Sequence, residues 1–142
     1  MTFDESCIFC KIAHKKALAS VIYEDEVVMA FLDIRPLTVG HSLVIPRTHY
    51  IEVFGIPQDL LCNVYKVSKI VAIAVKKTTQ ADGISIIQQN GTAAGQDIFH
   101  LHVHVIPRFE GQKLPSFSDL KEAERAKLDG LAKKIKKDLG KF

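Results

Sequence analysis

The sequence contains no apolar run near the roughly 18 residues a membrane-spanning helix needs, so no transmembrane helix is expected. No secretory leader is expected at its start either. Met1, Thr2, Phe3, Asp4, Glu5 and Ser6 are acidic in tone where such a leader would be basic. Cysteine is scarce and odd in number, with only Cys7, Cys10 and Cys62. That argues against a disulfide framework and for a reducing, cytoplasmic setting. Strong charge of one sign is missing too. The net charge is +3, and Lys133, Lys134, Lys136, Lys137 and Lys141 supply much of it from the C-terminal end. A general nucleic-acid surface is therefore not implied. There are no internal repeats and no low-complexity linker. What remains is 142 residues at 47% hydrophobic content, enough for one domain with a substantial core.

Against that background one segment stands out. His100-Leu101-His102-Val103-His104-Val105 places histidine at every second position, and half of the 6 histidines lie in it. An extended strand sends alternate side chains to opposite faces. The three imidazoles are then expected on one face, about 6.6 Å apart along the strand, with Leu101, Val103 and Val105 on the other. Pro107 is expected to end the strand by withholding a ladder donor. Histidine titrates near neutrality and has two distinct ring nitrogens, so the pattern reads as an active-site strand rather than a polar sheet face.

Further blocks accompany it: Cys7-Ile8-Phe9-Cys10-Lys11-Ile12, Ala30-Phe31-Leu32-Asp33-Ile34 with Pro36, Gly40-His41-Ser42-Leu43-Val44-Ile45-Pro46 with His49, then Asn90-Gly91 and Gly95-Gln96-Asp97. In order and spacing, from about Cys7 to Arg108, these blocks resemble the histidine-triad (HIT) superfamily of nucleotide hydrolases and transferases, near its Hint-like branch. The resemblance implies a single HIT domain over 1–142, with a core of about 7–108 and a variable tail, 109–142, carrying a helix. It also implies an α+β HIT-like fold: a small antiparallel sheet, one long helix and a C-terminal helix.

The resemblance makes His102 the nucleophile, attacking the α-phosphorus of a nucleotide to form a nucleotidyl-histidine that water resolves. An imidazole suits this work because it is uncharged while attacking and leaves readily afterwards. His104 would hydrogen-bond the phosphoryl oxygens, and His100 completes the triad. Asp97 takes a position where Hint-like enzymes often carry a small hydroxyl residue that helps protonate the leaving group. An acid, a polar orienter and a deterrent to highly charged substrates all remain open for it, as does an ordinary turn residue. Phe9, Ile12, Phe31, Asp33, Ile34 and Leu43 match the family's nucleoside pocket, with Asp33 accepting from the ribose hydroxyls. Asn90, Gly95 and Gln96 would offer amides and backbone N–H groups to the phosphate.

Cys7-x-x-Cys10 is a two-thiolate knuckle, and zinc needs two further ligands. The resemblance supplies His49 and His100, giving a closed Cys₂His₂ set and hence a structural zinc, with no organic cofactor. His41 matches a family histidine that orients the triad, whereas His14 reads as a surface residue. The activity implied is a purine-nucleotide phosphoramidase acting on AMP or GMP derivatives. A dinucleoside-polyphosphate hydrolase and a nucleotide-binding regulatory module with little turnover are the alternatives. A homodimer is implied, with no nucleic-acid or membrane partner.

Local patterning fills in the elements. Strands are expected at 20–24, 27–32, 43–45 and 84–89. Pro57 suits the first position of a helix running to about Thr78, with Leu60, Val64, Val67, Val71 and Val75 as its core stripe. Leu61, Tyr65, Ser68 and Ala72 form an adjoining stripe suited to an interface. A last amphipathic helix is expected over 120–139, its lysines solvated.

Overall fold

In the computed structural model, which describes residues 3–140, a sheet of five antiparallel strands separates two helical layers. Met1 and Thr2, part of the leader reading above, and Lys141, part of the charge reading, lie outside the described residues, as does Phe142. The strands are β1 (Val21–Glu24), β2 (Val28–Leu32), β3 (Ser42–Pro46), β4 (Gly83–Gln88) and β5 (Val103–Arg108). Their order is β1-β2-β3-β5-β4, so the strand carrying the histidines is internal and β4 forms an edge. The helices are α1 (Ile8–Ala13), α2 (Gln58–Thr79) and α3 (Arg125–Leu139), with short 3-10 turns at Thr92–Ala94 and Phe117–Asp119. This is the α+β architecture expected.

Strand alternation sorts the apolar residues into two clusters. Val28, Ala30, Leu32, Val44, Leu101, Val103 and Val105 face α2 and α3, meeting Val64, Val71, Val75, Leu128 and Ile135. Met29, Phe31, Leu43 and Ile45 face the other way, toward Phe9, Ile12 and Ala13 of α1. Burial of these side chains, at about 25 cal/mol per Å² of apolar surface, is the main stabilising term on both faces.

Several local expectations change in detail. Regular pairing of β5 begins only at Val103, so His100, Leu101 and His102 precede the strand proper. Pro107 does not end β5. The β3–β5 pairing stops at Ser42↔Val105 while β4 continues alongside to Gly83↔Arg108, so Pro107 sits where one ladder has already run out. Pro57 is the residue before α2 rather than its first. Ser68, expected on the interface stripe, is fully buried, and its hydroxyl donates to the Val64 carbonyl at 2.8 Å. The last helix begins at Arg125 rather than residue 120, because the chain from Leu120 to Glu124 is not helical. Gly40 is required where it stands. It has φ +97°, and a Cβ there would lie 2.8 Å from the Thr79 methyl, so β3 could not start so close to α2.

Candidate active site and metal centre

The turn from Asp33 to His41, the N-terminal helix α1 and the chain entering β5 converge on a cavity of about 440 Å³. Phe9, Ile12, Phe31, Asp33, Ile34, Leu43, Asp97, His102 and His104 all line it. The structure thus gathers every residue expected of the nucleoside pocket, together with the last two triad histidines.

Each buried histidine has its tautomer assigned by a backbone partner. The His102 Nδ1–H donates to the His100 carbonyl at 2.8 Å, which leaves the Nε2 lone pair facing the cavity. Burial lowers the His102 pKa, so the ring is neutral at neutral pH. A second chain of hydrogen bonds runs through His41. The Leu37 N–H donates to His41 Nδ1 at 3.0 Å, which places the His41 proton on Nε2. That proton is donated to His104 Nδ1 at 2.9 Å, so neutral His104 carries its own proton on Nε2. Burial pushes His41 down to about 3 and His104 to about 4, so both rings stay uncharged. The outcome is one imidazole presenting a lone pair and its neighbour presenting an N–H, with ring centroids 4.8 Å apart.

Two carboxylates flank this pair. Asp33 Oδ1 accepts from the Arg35 N–H at 2.9 Å, and Oδ2 lies 3.6 Å from His41 Nε2. Burial, with a smaller contribution from Asp97, raises Asp33 to about 6. Asp97 is exposed, with Oδ1 3.9 Å from His102 Nε2. It also borders a second cavity of about 350 Å³ with Ile87, Gln89, Gly95, His104 and Ile106, on the β4 side.

The expected phosphate-binding loop divides. Gly95 reaches the second cavity with φ +94°, and a Cβ there would come 2.5 Å from Gln89 Nε2. The side-chain amides of Asn90 and Gln96 do not line either cavity. Asn90 Oδ1 accepts from the Val53 N–H at 2.8 Å and is paired with Gln88. The buried Gln96 side chain accepts from the Gly91 N–H at 2.8 Å and donates to the carbonyls of Ile51 and Ile98 at 2.7 and 3.1 Å. Both amides brace the loop.

A second constellation forms where α1 meets the start of the triad. Cys7, Cys10, His49 and His100 present donor atoms that all lie within 4.8 Å of one another. Tetrahedral zinc with ordinary bond lengths requires N···N edges of about 3.3 Å and N···S edges of about 3.6 Å. Here His49 Nδ1 and His100 Nδ1 are 3.2 Å apart, and three N···S edges measure 3.3, 3.4 and 3.6 Å. The His100 Nε2–H donates to the Pro46 carbonyl at 2.8 Å, so its Nδ1 is the free donor. The Cys10 N–H points to the Cys7 sulfur and the Asp4 N–H to the Cys10 sulfur, both at 3.4 Å. The donor set fits zinc. His100 therefore contributes its ring to this cluster and only its carbonyl to His102.

Sequence reasoning missed part of the cavity wall. Ile8, Leu18, Arg35, Leu120, Glu122 and Arg125 also line it. Ile8 lies inside a block already singled out, but nothing in the sequence ties Glu122 or Arg125 to Asp33 and Ile34, some 90 residues away.

The site defines the class: a largely apolar cavity carrying the last two histidines of an alternating triad, beside a metal-type cluster that takes the first. The HIT domain family matches residues 14–111, and the chain belongs to that family. It is 44% identical, over 92% of its length and 98% of the relative's, to an uncharacterized HIT-like protein of Methanocaldococcus jannaschii. Over 77% of this chain and 55% of the relative it is 38% identical to an adenylylsulfatase of Arabidopsis thaliana. A zinc-bound histidine triad family protein from Mycobacterium smegmatis superimposes with a TM-score of 0.84 at 38% identity, covering 95% of this chain and 94% of that one.

Proposed function

We propose that this protein is a purine-nucleotide phosphoramidase that releases a nucleoside monophosphate through a nucleotidyl adduct on His102. The observation that carries the reading is the pairing of a free His102 Nε2 lone pair with a His104 Nε2–H beside one nucleoside-sized cavity. His102 attacks the α-phosphorus, and the P–N bond breaks as the N–P bond forms. The departing amine takes a proton from solvent water at the open mouth where Asp97 stands, and the water that later resolves the adduct gives one back. Nδ1 keeps its proton against the His100 carbonyl throughout, so the adduct is an imidazolium and a good leaving group for the water that follows. His104 donates to the phosphoryl oxygens as negative charge builds. Phe9, Ile12, Phe31, Ile34 and Leu43 enclose the base and sugar, and Asp33 accepts from the ribose hydroxyls. Gly95 brings backbone close to the leaving-group side, with Gln96 and Asn90 holding that loop in place.

Asp97, so close to the nucleophile, favours a neutral or cationic leaving group over an anionic one. That places phosphoramidates ahead of dinucleoside polyphosphates and of adenylyl sulfate. The test is intact-protein mass spectrometry under single-turnover conditions with adenosine 5′-phosphoramidate. A transient added nucleotidyl mass mapping to His102 is expected. A polyphosphate or sulfate substrate reacting faster than the phosphoramidate would reassign the leaving group.

Cys7, Cys10, His49 and His100 would hold a structural zinc that clamps α1, with Phe9 and Ile12, to the triad. Burial pushes the Cys10 thiol up to about 11, and a bound cation supplies the charge that stabilises the thiolates. About one zinc per chain is expected by metal analysis, lost in the Cys7→Ser/Cys10→Ser variant. No described helix is long and apolar enough to cross a membrane, and three cysteines without a disulfide suit a reducing cytoplasm. The whole chain would act as one domain, 109–142 included. We also read it as a homodimer. The edge strand β4 exposes Ile86 and Ile87, and α2 exposes Tyr65 and Ile73. Light scattering at micromolar concentration should give twice the chain mass, reduced on Leu61→Glu.

A further inference from the structure

The family match ends at residue 111, yet the nucleoside cavity does not. The chain leaves β5, turns back against the cavity, and enters α3. Leu120, Glu122 and Arg125 line it. The crossing is fixed at three points. The Ala123 N–H donates to the Ile34 carbonyl at 2.8 Å, next to the residue that closes the pocket from the β2 side. Arg125 Nη1 donates to Ser20 Oγ at 2.8 Å, and the buried Ser20 hydroxyl donates to Asp129 at 2.6 Å. Behind it, Leu128, Ala132 and Ile135 are buried in the main core. This part of the tail is therefore bound structure and a true wall of the cavity.

Apart from Asp33, Arg35, Asp97 and the histidines, the surfaces it completes are apolar: Ile8, Phe9, Ile12, Leu18, Phe31 and Ile34. Such a slot grips any flat base without telling one from another. Discrimination needs a polar group at the rim, and a carboxylate is a pure acceptor. Guanine presents N1–H and N2–H side by side on its Watson–Crick edge, matching the two oxygens of one carboxylate. Adenine presents one amine there beside the N1 lone pair, which a carboxylate repels.

We propose that the segment from Leu120 to Arg125 is the base-reading wall of the nucleotide pocket, with the Glu122 carboxylate selecting guanine. Arg125 is a positioning residue that pins the wall to the start of β1. The inference rests on the nucleotide reading above and goes beyond it in naming the base and the residue that reads it. Removing the tail would also remove core residues, so point variants are the proper test.

Titration calorimetry of wild type with GMP, AMP and ribose 5-phosphate separates the possibilities. Wild type should bind GMP more tightly than AMP. Glu122→Ala should weaken GMP about tenfold, the loss expected of a charge-assisted hydrogen bond, and AMP much less. Ribose 5-phosphate, which lacks a base, should be unaffected. Arg125→Ala should weaken both nucleotides while leaving ribose 5-phosphate unchanged, with rescue of part of the loss by Arg125→Lys. An unchanged GMP affinity in Glu122→Ala overturns the proposal, as does an equal loss for ribose 5-phosphate, which would mark a structural role only. A wild type that prefers AMP overturns the guanine assignment. A wild type that binds neither nucleotide overturns the reading of the pocket itself, a different result from failure of the wall.

Discussion

Consecutive residues of one short segment live in two different kinds of interior. Leu101, Val103 and Val105 enter a core of aliphatic side chains under α2 and α3, where fit and volume are the only demands. His100, His102 and His104 enter the opposite layer, where each ring has a specific hydrogen-bonding partner. On that side burial costs free energy unless every nitrogen is satisfied. No buried side-chain N or O atom among the described residues lacks a partner. The aliphatic face tolerates any well-packed residue of the right size. The chemistry of the polar face requires residues that keep one proton on one nitrogen.

The sharpest break in that comparison is His102→Ala. Turnover should fall by about a thousandfold or more, while nucleotide binding and unfolding midpoint change little. Single-turnover kinetics beside calorimetry reads both, and most of the activity surviving would refute the adduct. Its neighbour should behave in the opposite way. Leu101→Ala empties a fully buried site and should cost about 3 kcal/mol in urea unfolding, with activity per folded molecule nearly retained. A comparable loss of chemistry from both substitutions would show that the two faces are not independent.

Smaller effects sharpen the account of the polar face. His41→Ala removes the donor that fixes the His104 tautomer and should lower kcat roughly ten- to a hundredfold, with KM little changed. An unaltered kcat would mean that His104 orients itself. Asp33→Asn should weaken ribonucleotides by about 1 kcal/mol and deoxyribonucleotides hardly at all. Equal losses would remove Asp33 from ribose recognition.

The smallest effect is on pH dependence. His41 and His104, lowered to about 3 and about 4 from 6.5, bind fewer protons folded than unfolded between those limits. Stability from these two groups therefore rises as pH increases toward 6.5. Asp33, raised from 3.8 to about 6, works the other way across 3.8 to about 6, because the folded state keeps its proton longer. Two histidines against one carboxylate predict a lower urea midpoint at pH 4.5 than at pH 7, with a steeper fall in Asp33→Asn. A higher midpoint at pH 4.5 would show that these rings are not held neutral.

Most of the aliphatic face was legible from the chain. Period-two and helical spacing name Leu101, Val103, Val105, Val64, Val67, Val71 and Val75 correctly, because hydrophobic burial reads local pattern directly. The three histidines were legible as a set for the same reason. Less legible were Asn90 and Gln96, whose amides looked available for a phosphate. Their partners, Val53, Ile51 and Ile98, include residues some 40 positions away, and no local rule reveals that they are taken. Ser68 likewise passes for surface until its hydroxyl is seen bonded to its own helix.

The sequence by itself determined the alternation of faces, the order of the elements and the chemical types gathered near the triad, since each follows from short-range periodicity and side-chain chemistry. Tertiary structure alone decided which nitrogen of each ring carries its proton, because the folded backbone sets the deciding partners: the Leu37 N–H acting through His41 on distant His104, the distant Pro46 carbonyl on His100, and the His100 carbonyl that the chain turns onto His102. It alone brought Glu122 and Arg125 to the pocket. A chain crossing over a cavity leaves no period in the sequence, and its place is set by what the helix behind it buries.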